Sequence, residues 1–84
     1  EDVEQAPAKY TLQISAHPDM TGAQKQVSAL ESKGLDPYIA TVKRQDGETY
    51  YRVRIGKFSS MKEVETFKDD IARNRGVNAM ITPI

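Results

Sequence analysis

Tyr50, Arg52 and Arg54 occupy alternate positions of the run Tyr50-Tyr51-Arg52-Val53-Arg54-Ile55-Gly56-Lys57-Phe58. Alternate residues of a strand share a face. An extended backbone therefore puts one aromatic ring and two guanidiniums on one side, and Tyr51, Val53 and Ile55 on the other. Burying two unpaired guanidiniums is very costly, so the side with Arg52 and Arg54 is expected to stay open. An open face of that make-up is a binding platform: a flat ring for packing, and planar donor forks for anionic or carbonyl groups. The plainer reading is a solvated sheet face with snorkelling arginines.

Other chemistry-bearing residues do not assemble into a site. His17 is the sole histidine and lies beside Pro18 and Asp19, the setting of a loop residue. Asp69 and Asp70 are neighbours and diverge by roughly 100° on a helix, so they form no carboxylate dyad. The glycines at 22, 34, 47, 56 and 76 read as turns and stops, without phosphate-loop spacing. Met20, Met61 and Met80 read as core or core-edge fillers. The chain has no cysteine, which removes disulfides, thiolate metal sites and thiol catalysis. No enzyme, cofactor or metal is expected.

The 84 residues suit one small domain. Twelve basic and 12 acidic residues give a net charge of zero, without the electrostatic footprint of a general nucleic-acid binder. The charge is unevenly spread. Residues 1–9 carry Glu1, Asp2 and Glu4 against Lys9, whereas residues 43–57 carry Lys43, Arg44, Arg52, Arg54 and Lys57 against Asp46 and Glu48. No apolar run approaches the roughly 18 residues of a membrane span, and no signal peptide is visible. A chain that starts at Glu1 reads as a piece of a longer protein.

Several elements are needed to hold the platform. Residues 1–8, acidic and containing Pro7, read as a linker or frayed terminus, with the domain over 9–84. Tyr10 to Ser15 alternates as a first strand, broken by Ala16-His17-Pro18-Asp19. Ala23, Val27 and Leu30 space as a helix, capped by Asp19 or Thr21, with Thr21 and Gln24 at capping-box spacing. Lys33 forms its basic last turn and Gly34 its stop. Pro37 to Lys43 reads as a second strand, with Tyr38, Ala40 and Val42 as its buried set. Gln45-Asp46-Gly47-Glu48 turns the chain into the third strand. Ser60 and Glu63 open a second helix with Val64, Phe67 and Ile71 as its stripe, ended by Gly76. Val77 to Ile84 gives a short final strand limited by Pro83.

An internal repeat supports this order. Tyr10/Tyr51, Leu12/Val53, Ile14/Ile55, Met20/Met61, Ala23/Val64 and Leu30/Ile71 recur at an offset of 41. Each half is a strand-helix-strand unit that cannot bury its helix alone. Two such units predict an α+β fold, a β-α-β-β-α-β ferredoxin/RNP-like sandwich. Its four-stranded antiparallel sheet would carry both helices on one face, leaving Gln13, Tyr50, Arg52 and Arg54 on the other.

The runs Tyr10-Thr11-Leu12-Gln13-Ile14-Ser15 and Tyr50-Tyr51-Arg52-Val53-Arg54-Ile55-Gly56-Lys57-Phe58-Ser59-Ser60, each followed by a helix ending in Gly, resemble the SPOR domain. The resemblance covers residues 10 to about 82. It implies a non-catalytic module that binds denuded peptidoglycan glycan strands, from which stem peptides have been removed, on its open sheet face. It also implies a place in the cell envelope, periplasmic or extracytoplasmic, with the module targeting a larger anchored or secreted protein to the division septum or wall. The positions that match the family's glycan contacts are Gln13, Tyr50, Arg52 and Ile81. Arg54, beside Arg52, is a second candidate reader of the muramyl carboxylate that peptide removal exposes. Ser15, His17 and Lys57 stand where the family usually has Gly, Phe and Pro. The expected partner is peptidoglycan, with no nucleic acid, no membrane insertion by this segment and a monomeric chain. The alternatives are a ferredoxin-like protein-interaction or regulatory domain and an RRM-like RNA-binding domain. The latter normally stacks aromatics on its two central strands.

Overall fold

A computed structural model describes residues 7–84, so most of the linker expected over 1–8 lies outside the described residues. The order is β1 (Tyr10–His17), α1 (Met20–Glu31), β2 (Pro37–Lys43), β3 (Thr49–Phe58), α2 (Met61–Asn74) and β4 (Met80–Pro83). The strands form one antiparallel sheet in the order β2-β3-β1-β4. Both helices pack on one face, as the repeat predicts.

The duplication is visible in the core. Leu12 and Val53 are both 0% exposed, Ala23 and Val64 both 0%, and Leu30 and Ile71 both 1%. Equivalent residues of the two halves are thus sealed to the same degree, because both helices lay their stripes across the central strands β1 and β3. Burial of each large side chain contributes roughly 1.5–3 kcal/mol. Ile55 and Val77 complete the buried set, and Phe58 and Phe67 stack at 5.4 Å between centroids, tying α2 to the end of β3.

The helix ends follow local chemistry. Asp19, not Thr21, caps α1 by accepting from the Gly22 N–H at 2.7 Å. The Thr21–Gln24 box does not form, because Thr21 already lies inside the helix. Ser60 caps α2 by accepting from the Glu63 N–H at 3.2 Å. Glu63 reaches past Ser60 to the N–H and hydroxyl of Ser59. α1 stops at Glu31, so Lys33 lies beyond its last turn. There Lys33 and Arg75 clasp the two helix exits together. The Arg75 guanidinium donates to the Lys33 carbonyl, and Lys33 Nζ donates to the Arg75 carbonyl at 3.4 Å.

Three further expectations need correction. β1 does not break at Ala16 but continues to His17, which pairs with Tyr51. It does so through a bulge at Ile14, between the pairs Gln13–Arg54 and Ser15–Val53. The extra residue shifts the phase, so Ser15 and His17 turn toward the helices, where their side chains bond at 2.9 Å. In β2, Ile39 and not Tyr38 packs on the core, because Ile39 lies opposite Val53 and Tyr38 opposite Arg54. The methionines are not core fillers: Met20 is 41%, Met61 43% and Met80 66% exposed. The first two are the first residues of their helices, directly after the caps, and Met80 lies opposite Gln13.

Gly56 shapes the end of the platform. Its φ of +73° places it in a bulge of β3, where an added Cβ would meet the Phe58 ring at 2.6 Å. Gly56→Ala is expected to cost roughly 1–3 kcal/mol through the left-handed backbone and the displaced ring. A lowered urea midpoint with an unchanged m-value checks this.

Candidate functional site

The face away from the helices is built by register. Arg54 lies opposite Tyr38 on β2 and Gln13 on β1, and Gln13 lies opposite Met80 on β4. Tyr38, Arg54, Gln13 and Met80 thus form a row across all four strands, about 14 Å long at the usual strand spacing. Tyr50, Arg52 and Arg54 form a column along β3, each about 7 Å from the next. Row and column cross at Arg54. Arg52 is flanked by the short side chains of Ala16 and Ala40.

Both tyrosines are half-buried and held by cations. The Arg44 guanidinium lies 5.2 Å from the Tyr50 ring centre, and Lys57 Nζ lies 5.3 Å from that of Tyr38. Such contacts fix ring orientation as well as contributing modest attraction. The Tyr38 hydroxyl is anchored to Thr11 Oγ1 at 2.9 Å.

The electrostatics are one-sided. The four strands carry no acidic residue, and Arg52, Arg54 and Lys57 stand on the open face, whereas Lys43 has the phase of the helix side. Among the described residues the acids sit in loops, turns and on the helices, where Glu63, Glu65, Asp69 and Asp70 ride on α2. A neutral chain therefore presents a positive sheet face. The Nε atoms of Arg52 and Arg54 are shielded from solvent and have no hydrogen-bond partner among the described residues. An unpaired buried donor is destabilising until an acceptor arrives. Nothing comparable suggests a metal site: no group of three His, Asp or Glu side chains among the described residues could hold an ion.

Of the residues singled out from sequence, Gln13, Tyr50, Arg52 and Arg54 do come together on the open face. Ile81 does not. It lies opposite Leu12 and packs against the core, because β4 pairs with β1 in a register that sends Met80 and Thr82 to the open side. Met80, beside Gln13, holds the place expected for Ile81. Tyr38 and Lys57 also join the face, although the sequence pattern assigns Tyr38 to the core.

The model of the SPOR domain matches residues 6–83. The chain belongs to the SPOR domain family. This SPOR domain is similar in structure to the peptidoglycan binding domain of the B. subtilis cell wall lytic enzyme CwlC. The TM-score is 0.67 at 28% identity, covering 100% of this chain and 99% of that one. It is also similar to the SPOR domain of RlpA from Pseudomonas aeruginosa, with a TM-score of 0.63 at 24% identity over 88% of this chain and 96% of that one. The Spor protein DedD matches with a TM-score of 0.67 at 15% identity, over 99% of this chain and 45% of DedD. These last two likenesses bear on the fold. No curated protein sequence matches the chain. No helix among the described residues is long and apolar enough to cross a membrane.

If the arginines serve a ligand rather than the fold, removing their donors will not harm stability. Arg54→Met keeps the length of the stem and eliminates the unpaired Nε–H. The melting temperature is expected to stay level or rise, and a fall of several degrees would show that Arg54 supports the fold.

Proposed function

We propose that this SPOR domain is a non-catalytic module that binds peptidoglycan glycan strands freed of stem peptides. Its ligand would lie on the open sheet face. The observation that carries the reading is the cluster of Gln13, Tyr50, Arg52 and Arg54 on a positive, acid-free surface. It is supported by the likeness, at 28% identity, to a peptidoglycan binding domain.

The chemistry of each residue suits a glycan of this kind. A tyrosine ring edge or face packs against the C–H groups of a pyranose. Gln13 offers both a donor and an acceptor to hydroxyls and acetamido groups. Arg52 and Arg54 hold guanidinium forks that match a carboxylate through two parallel hydrogen bonds. A stem peptide is joined to the glycan through the muramyl lactyl group, so its removal leaves a free carboxylate there. The arginines thereby distinguish a stripped strand from a substituted one by charge. Such a module would direct a larger envelope protein to wall regions rich in stripped strands, such as the division septum.

Purified sacculi, untreated or stripped by an amidase, test this in a pulldown. Wild type is expected to be retained more strongly on stripped sacculi, and Tyr50→Ala combined with Arg52→Ala is expected to lose that retention. Equal retention of wild type and double variant would remove the sheet face from the account, and no retention of wild type would end the glycan reading. Arg52→Lys and Arg54→Lys keep the charge but not the planar fork. Unchanged affinity and salt dependence in both would contradict carboxylate reading by the arginines.

A further inference from the structure

The hydroxyl of Tyr38 has a fixed polarity. Thr11 is fully buried at 0% exposure, and it carries a single hydroxyl proton. That proton is directed at backbone carbonyls, with Gly56 O at 2.6 Å and Ile55 O at 3.3 Å. The remaining contact of Thr11 Oγ1, 2.9 Å from Tyr38 Oη, then has Tyr38 as the donor. A phenol has one O–H, so Tyr38 Oη has given its proton inward and keeps only acceptor capacity for anything arriving from outside. Lys57 Nζ, 5.3 Å from the ring centre, holds the ring from above. Arg54 is the cross-strand neighbour of Tyr38.

We propose that Tyr38 is a second reader on the glycan-binding face, and that its oxygen accepts a hydrogen bond from a hydroxyl or acetamido N–H of the sugar next to the one held by Arg54. The inference rests on the glycan reading above and deepens it. Arg54 and Lys57 only donate, and Tyr38 Oη, next to them, only accepts. This end of the face therefore matches a ligand that carries a carboxylate and a neutral donor on adjacent groups. A stripped glycan strand has that arrangement, with its lactyl carboxylates flanked by acetamido N–H groups and hydroxyls. Lys57 adds positive charge at the same end.

An NMR titration of the wild-type chain with peptide-free glycan oligosaccharides, run beside Tyr38→Phe, tests the proposal. The ring resonances of Tyr38 and Tyr50 are expected to shift together in the wild type. Tyr38→Phe keeps the ring and removes the acceptor, and its Kd is expected to rise roughly three- to tenfold. A Tyr50 shift without a Tyr38 shift, or a folded Tyr38→Phe with wild-type Kd, would overturn the proposal while leaving the glycan reading in place. If no resonance of the face moves, the glycan reading itself fails and the Tyr38 subsite with it. Should Tyr38→Phe not fold, the wild-type titration decides alone.

Discussion

Two guanidiniums at alternate positions of a central strand cannot go under a helix. Burying either without a partner would cost more than a small domain can offset. Arg52 and Arg54 therefore fix which face of the sheet stays open, and both helices must pack on the other side. The rest of the architecture follows from that choice. Leu12, Val53 and Ile55 become the floor of the core, and the two helices lie side by side over it. Their exits meet closely enough for Lys33 and Arg75 to hold each other's carbonyls. The open face is thus a consequence of charge placement, before any ligand is considered.

The open face is not a loose surface. Thr11 is the single buried polar side chain among the described residues, and it ties β1 to the carbonyls of β3 and to the Tyr38 hydroxyl of β2. Arg44 and Lys57 restrain the two rings. The strongest unsatisfied groups are the Nε donors of Arg52 and Arg54. A face held in place at its aromatic and hydroxyl parts, and short of acceptors at its arginines, matches the anionic, hydroxyl-bearing ligand proposed for it. Pre-positioned groups lower the ordering cost of binding.

Much of this was legible in the sequence, for a physical reason. Strict alternation in β3, two helical stripes and a repeat of 41 residues all agree, and agreement between levels is what specifies a fold. The misses have identifiable causes. The bulge at Ile14 leaves no mark in the pattern, because Ser15 and Ala16 are both small enough for either face. β2 is an edge strand with apolar residues in both phases, and Thr41 and Lys43 stay exposed on its helix side. Composition therefore favours the wrong face. The hairpin could have settled it. A turn centred on Asp46 pairs Lys43 with Thr49 and so Tyr38 with Arg54, which places Tyr38 on the open side. Met80 and Ile81 differ by one position, and a one-residue slip reverses every side chain of a short strand.

The central claim is that a positive sheet face reads the carboxylates of stripped glycan. Calorimetric titrations at low and high salt, comparing peptide-free peptidoglycan oligosaccharides with chitin oligosaccharides of equal length, test it most directly. Chitin offers the same acetamido groups and hydroxyls without a lactyl carboxylate. The account predicts tighter binding of the peptidoglycan oligosaccharides, by an amount that shrinks as salt screens the charges. Equal affinity for both ligands, with no dependence on salt, would contradict it.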